Sequence, residues 1–129
     1  MIVLDSSAVV DALTGVDGAD ELRTRIRDEE LVAPYLIDYE VVSALRGLVL
    51  GGHLSDSRAA DVLVDFADLK LWRWPADSAL RQRAFDLRDN LSAYDAAYVV
   101  LAEALECPLI TRDDRLSRTV GHTAAVEVL

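Results

Sequence analysis

The chain alternates between apolar runs of three or four residues and longer stretches whose apolar residues recur at helical spacing. This pattern constrains the fold more than any other feature. Ile2–Leu4, Leu31–Ala33, Leu69–Trp72, Leu109–Thr111 and Ala125–Val128 are short, rich in branched or aromatic side chains, and read as strands. Between them the spacing predicts helices over Ser7–Leu13, Ala19–Arg27, Ile37–Leu50, Ser55 to about Asp68, Pro75 to about Asn90, Ser92–Leu105 and Asp114–Arg118. The helix from Ile37 carries its stripe on Ile37, Val41, Ala44, Leu45, Leu48 and Val49 and stops at Gly51-Gly52. Strands apolar on both faces and alternating with helices predict a small central parallel sheet covered on both sides, a three-layer α/β sandwich. With 129 residues the expectation is one domain over 1–129. Trp72 and Trp74 are expected to pack inside it.

In open parallel sheets ligands bind beyond the carboxyl ends of the strands, so the residues just after each strand matter most for function. Several are acidic. Asp5 follows the first strand, and Asp113 and Asp114 follow the fourth in LITRDDRL. Glu40 lies one turn into the helix after the second strand, with Ser43 three residues on and on the same face. Asp95 stands three residues after Ser92, the spacing of a capping box. Each acid alone has an ordinary explanation: a turn or cap at Asp5, Asp95 and Asp113 or Asp114, a solvent-facing residue at Glu40. If the four converge, their mutual repulsion disfavours joint ionisation, and a divalent cation relieves it. An all-oxygen donor set suits Mg²⁺ or Mn²⁺. His53 and His122 lack ligand spacing, and Cys107, the sole cysteine, can form no internal disulfide and reads as a small hydrophobe.

Net charge is −10, which argues against a general nucleic-acid binder but not against an enzyme that approaches phosphate through cations. Of 13 basic residues only Lys70 is not arginine. Arg112, Arg115 and Arg118 flank the last acids and suit phosphate, or simply pair with neighbouring carboxylates. The Arg23, Arg25, Arg27 cluster is offset by Asp28, Glu29 and Glu30. No signal peptide or membrane span is evident, so a cytoplasmic protein is expected.

The ordered set LDSSAVV, YEVVSALR, SAYDAAYVVLAE and LITRDDRL resembles the PIN-domain ribonucleases, particularly the VapC toxins of toxin–antitoxin pairs, over nearly the whole chain. The resemblance implies a PIN-like fold and a Mg²⁺-dependent ribonuclease, with Asp5, Glu40, Asp95 and Asp113 as catalytic and metal-binding acids. Ser7, Ser43, Thr111, Asp114 and Arg112 would support them or meet substrate. Ser43 departs from the Asn many relatives carry. The resemblance also implies RNA as substrate, a VapB-like antitoxin with a basic tail, and a homodimer formed through the helices after the second strand. Register in LITRDDRL separates Asp113, expected at the metal, from Asp114, expected to cap the next helix. A phosphoaccepting receiver domain is disfavoured, since serines follow Asp5 and no lysine follows the last strand. A non-catalytic module acting through an acidic groove is the alternative.

Overall fold

In a computed structural model describing residues 1–129, strand β1 (Ile2–Leu4) lies at the centre of a five-stranded, all-parallel sheet of order β3-β2-β1-β4-β5. The other strands are β2 (Leu31–Pro34), β3 (Leu71–Trp74), β4 (Leu109–Thr111) and β5 (Val126–Val128). The helices are α1 (Ser6–Thr14), α2 (Ala19–Ile26), α3 (Ile37–Leu50), α4 (Asp56–Asp68), α5 (Ser78–Asp86), α6 (Ala93–Leu105) and α7 (Asp114–Ser117). Right-handed crossovers carry α1–α4 over one face as the chain steps from β1 to β3, and α5–α6 over the other on the return to β4. The packing agrees: α1 rests on α2, α3 and α4, and α5 on α6. This is the three-layer sandwich the alternation predicts. No helix is long and apolar enough to cross a membrane.

The local chemistry explains most boundaries. Ile2, Val3 and Leu4 are almost wholly buried, as a central strand covered on both faces requires. Helix α1 ends at Gly15, whose φ of 72° is the left-handed conformation glycine tolerates best, one residue after Thr14. Ser55 and Ser92 cap α4 and α6, accepting hydrogen bonds from the Arg58 and Asp95 amides at 3.1 Å each.

Three expectations shift. The third strand is Leu71–Trp74 rather than Leu69–Trp72, because the Leu69 amide still closes α4 on Phe66 and β2 pairs Leu31 with Leu71 through Pro34 with Trp74. That register alternates Leu71 and Arg73 with Trp72 and Trp74. Arg73 pairs with Asp38 at 2.8 Å and lies over the Phe66 ring. Trp72 and Trp74 are 60% and 39% exposed rather than packed inside, because β3 is the sheet's edge. The fifth helix spans only Ser78–Asp86: Asp77, not the segment at Pro75, provides its cap, accepting from the Leu80 amide. The cysteine lies partly buried at the α6–β4 junction, packed against the core.

Candidate active site

β1 and β4 are neighbours although the chain leaves β1 in one direction along the sheet and reaches β4 from the other. Their junction is the topological switch point where such sheets bind ligands. Val3 pairs with Leu109 and Leu4 with Ile110, so Asp5 emerges beside Thr111. Asp5 is only 6% exposed and Thr111 wholly buried, the two buried polar residues of the core. One Asp5 oxygen accepts the Ser7 hydroxyl at 2.6 Å and the Ala8 amide at 3.0 Å, which also makes Asp5 the cap of α1. The other accepts the Thr111 hydroxyl. Thr111 Oγ1 accepts the Asp113 amide at 2.9 Å, and Ser7 Oγ accepts the Arg112 amide at 3.0 Å. Ser7 and Thr111 thus tie the ends of two strands together through one buried carboxylate.

Burial pushes the Asp5 carboxyl above its ordinary range, and Asp113 adds repulsion, against the lowering effect of the three hydrogen bonds. Glu40, half-buried near the start of α3, is also pushed up, first by burial and then by Asp95 and Asp5. The Tyr98 hydroxyl lies buried near Glu40 and Ser6, where it favours the Glu40 carboxylate, yet it completes no hydrogen bond. Its place one turn after Asp95 on α6 was the sequence signal for it.

Asp95 and Asp113 share a partner. Arg115 Nη2 donates to Asp95 Oδ2 and to Asp113 Oδ2 at 2.9 Å each, while the Arg115 amide donates to Asp113 Oδ1 at 2.9 Å. Four acids, from the β1–α1 junction, α3, α6 and the β4–α7 turn, therefore feel one another at one edge of the sheet.

Asp113, not Asp114, caps α7; Asp114 sits in its first turn and pairs with Arg118 in solvent. The expectation that Asp114 caps this helix fails because an Asx cap needs the residue immediately before the helix, and that residue is Asp113. Arg112 is also not at the site. Its guanidinium turns away to Asp11 at 2.8 Å and to the carbonyls of Gly18 and Leu129. Of the three flanking arginines only Arg115 reaches the acids. Ser43 makes no hydrogen bond to Glu40; both line a cavity beside it, together with Ser6, Tyr39 and Tyr94.

The donor set is wholly oxygen, and two of its carboxyls carry a burial and repulsion penalty that a divalent cation would relieve. In that chemistry the residues fit Mg²⁺ or Mn²⁺. In the present arrangement Arg115 neutralises two of the acids, and no three acidic, histidine or cysteine side chains are placed to ligate an ion together.

Residues 2–121 match the PIN domain family. The fold, the switch-point acids and this match together make the chain a member of the PIN-domain family. Ribonuclease VapC12 of Mycobacterium tuberculosis (strain ATCC 25618 / H37Rv) is 40% identical over 129 residues, covering 100% of this chain and 99% of that protein. Ribonuclease VapC9 of the same strain is 44% identical over 119 residues, 92% of this chain and 91% of the relative. Among solved structures, VapBC2 from Rickettsia felis, bound to a DNA fragment from their promoter, shares the fold with a TM-score of 0.71. That match covers 99% of this chain and 98% of the other at 14% identity.

Proposed function

We propose that the chain is the ribonuclease toxin of a toxin–antitoxin pair and hydrolyses RNA phosphodiester bonds with Mg²⁺, or Mn²⁺, at Asp5, Glu40, Asp95 and Asp113. The observation that carries this reading is the buried Asp5 carboxylate. It is held by Ser7, Ala8 and Thr111 at the switch point, with three further acids electrostatically coupled around it. Burying a carboxylate is costly, and a cap alone could sit at the surface, so its burial beside three other acids supports a site. The names of the VapC relatives support the activity.

Asp5, Asp95 and Asp113 would hold the cation. A divalent ion there offsets charge on the phosphate and makes a water more acidic. Ser7, Thr111 and the Ala8 amide keep Asp5 in one orientation. Glu40, with its raised carboxyl, orients water and is suited to take its proton. Arg115 is 60% exposed at its side chain, so it can turn from the acids to a phosphate oxygen without disturbing the core.

The acidic total suits a VapB-like antitoxin with a basic tail, and the chain's net charge of −10 supports that partner. An apolar groove of about 380 Å³ lined by Pro34, Trp74, Leu80, Phe85 and Ala97 offers surface for a protein partner, and Leu50 at the end of α3 is 69% exposed, where a homodimer through the helices after β2 would form. A cytoplasmic location belongs to the same reading.

The test is cleavage of a mixed RNA pool with Mg²⁺ or Mn²⁺ and with EDTA, using Asp95→Asn as control. Metal-dependent cleavage lost in the variant is expected; equal cleavage by the variant refutes the assigned site. The bridging of Asp95 and Asp113 by Arg115 favours one alternative, a non-catalytic PIN-like module that binds protein through its acidic groove. Metal binding without cleavage of any RNA would support it.

A further inference from the structure

Two tyrosines stand out beside the acids. Tyr39 immediately precedes Glu40 and is 81% exposed; Tyr94 immediately precedes Asp95 and is 64% exposed. Single exposed aromatic rings are ordinary on this surface, Trp72 and Phe85 among them, so position rather than exposure sets these two apart. They do not face open solvent separately. Both line one open cavity of about 570 Å³, whose other walls include Ser6, Glu40 and Ser43. Ser6 follows Asp5, so four lining residues, Ser6, Tyr39, Glu40 and Tyr94, are each an acid of the site or the direct neighbour of one. The cavity also collects residues from the first turns of α1, α3 and α6. The Ser43 hydroxyl, with no partner within the chain, is free to meet a polar edge.

Resting on the ribonuclease reading, we propose that this cavity receives one unpaired nucleobase of the RNA, stacked on Tyr39 and Tyr94 with its edge toward Ser43. The flanking phosphate then falls at the acidic site. An aromatic ring binds any base by its π-face, whereas a base held in a duplex cannot enter, so the geometry selects single-stranded or looped RNA. A cavity that shares Glu40 with the acidic site fits a substrate group better than a remote protein contact. The negative wall excludes a bare phosphate from its interior and leaves the base as the part that enters.

The experiment compares Tyr39→Ala, Tyr94→Ala and the double variant with wild type. Because both rings are exposed, these variants keep the fold, and thermal melts check this. Binding of a labelled single-stranded oligoribonucleotide is measured by fluorescence anisotropy in Ca²⁺, beside an abasic ribose–phosphate oligomer of equal length. Wild type should prefer the oligoribonucleotide by about 5-fold or more. Each alanine should weaken that probe by about 5- to 100-fold and leave the abasic oligomer unchanged, so that the double variant no longer discriminates. Tyr39→Phe and Tyr94→Phe should restore discrimination. Equal affinity of wild type for the two probes overturns the proposal, as does retained discrimination in the double variant. Alanine variants that lose antitoxin binding but keep RNA affinity would overturn it in favour of a protein contact. Discriminating binding without RNA cleavage would defeat the ribonuclease reading and leave the base site standing.

Discussion

Replacing Thr111 by valine removes the hydroxyl that joins the two strand ends while preserving side-chain shape. In the wild type that hydroxyl donates to Asp5 Oδ2 and accepts the Asp113 amide at 2.9 Å, at a position with no solvent exposure. Losing a hydrogen bond to a buried charged acceptor costs about 1.5–3 kcal/mol, and an unpaired amide at a partly exposed turn about 1 kcal/mol more. The added methyl returns up to about 0.8 kcal/mol of apolar burial. The net loss is about 2–3 kcal/mol, which for a chain of 129 residues lowers Tm by about 7–11 °C. Circular dichroism melts in EDTA measure it. Thr111→Ser keeps both hydrogen bonds and should lose only the methyl's packing, about 1 kcal/mol. Because Asp5 and Asp113 are both oriented through this hydroxyl, the valine variant should also bind Mn²⁺ more weakly at temperatures where it is fully folded. A valine variant that melts with wild type, or a serine variant that melts with valine, would refute the idea that this hydroxyl holds the site.

Asp5→Asn should abolish metal-dependent cleavage, and its Tm in EDTA relative to wild type should depend on pH. The Asp5 carboxyl is raised by burial, so its contribution to wild-type stability is complete below the ordinary carboxylate range and lost as pH rises through the raised value. The Tm of the asparagine variant relative to wild type should therefore rise as pH climbs from the ordinary carboxylate range through the raised value and then level off; a difference that is flat or falls throughout would contradict the raised carboxyl. Arg112→Gln, which releases Asp11 and the Gly18 and Leu129 carbonyls, should cost about 1 kcal/mol of stability and leave RNA affinity within about twofold. A large loss of RNA affinity with normal stability would return Arg112 to the site.

Local signals in the chain were enough to determine the architecture. Apolar runs of three or four residues rich in branched side chains suit strands better than helices, and their alternation with amphipathic stretches leaves a parallel sheet between two helical layers as the way to bury both faces. Caps such as Ser55 and Ser92 were equally legible, because a cap is a contact between residues three apart. The four acids were also visible, since each follows a strand or opens a helix. Tertiary structure alone decided what they touch. Asp5 meets Thr111 only because β1 and β4 are neighbours in the sheet, across 106 positions of sequence. The cap falls to Asp113 rather than Asp114 because the β4 register ends at Thr111 and α7 begins at Asp114. Arg112 and Arg115, equally basic and three residues apart, face different partners, one the α1 side and the C-terminal residue, the other the acids. Trp72 and Trp74 are exposed because β3 turned out to be an edge, a property of strand order rather than of residue type. Periodicity reports which face of an element is apolar; it carries no information about which element lies opposite, and the site is made of those opposing faces.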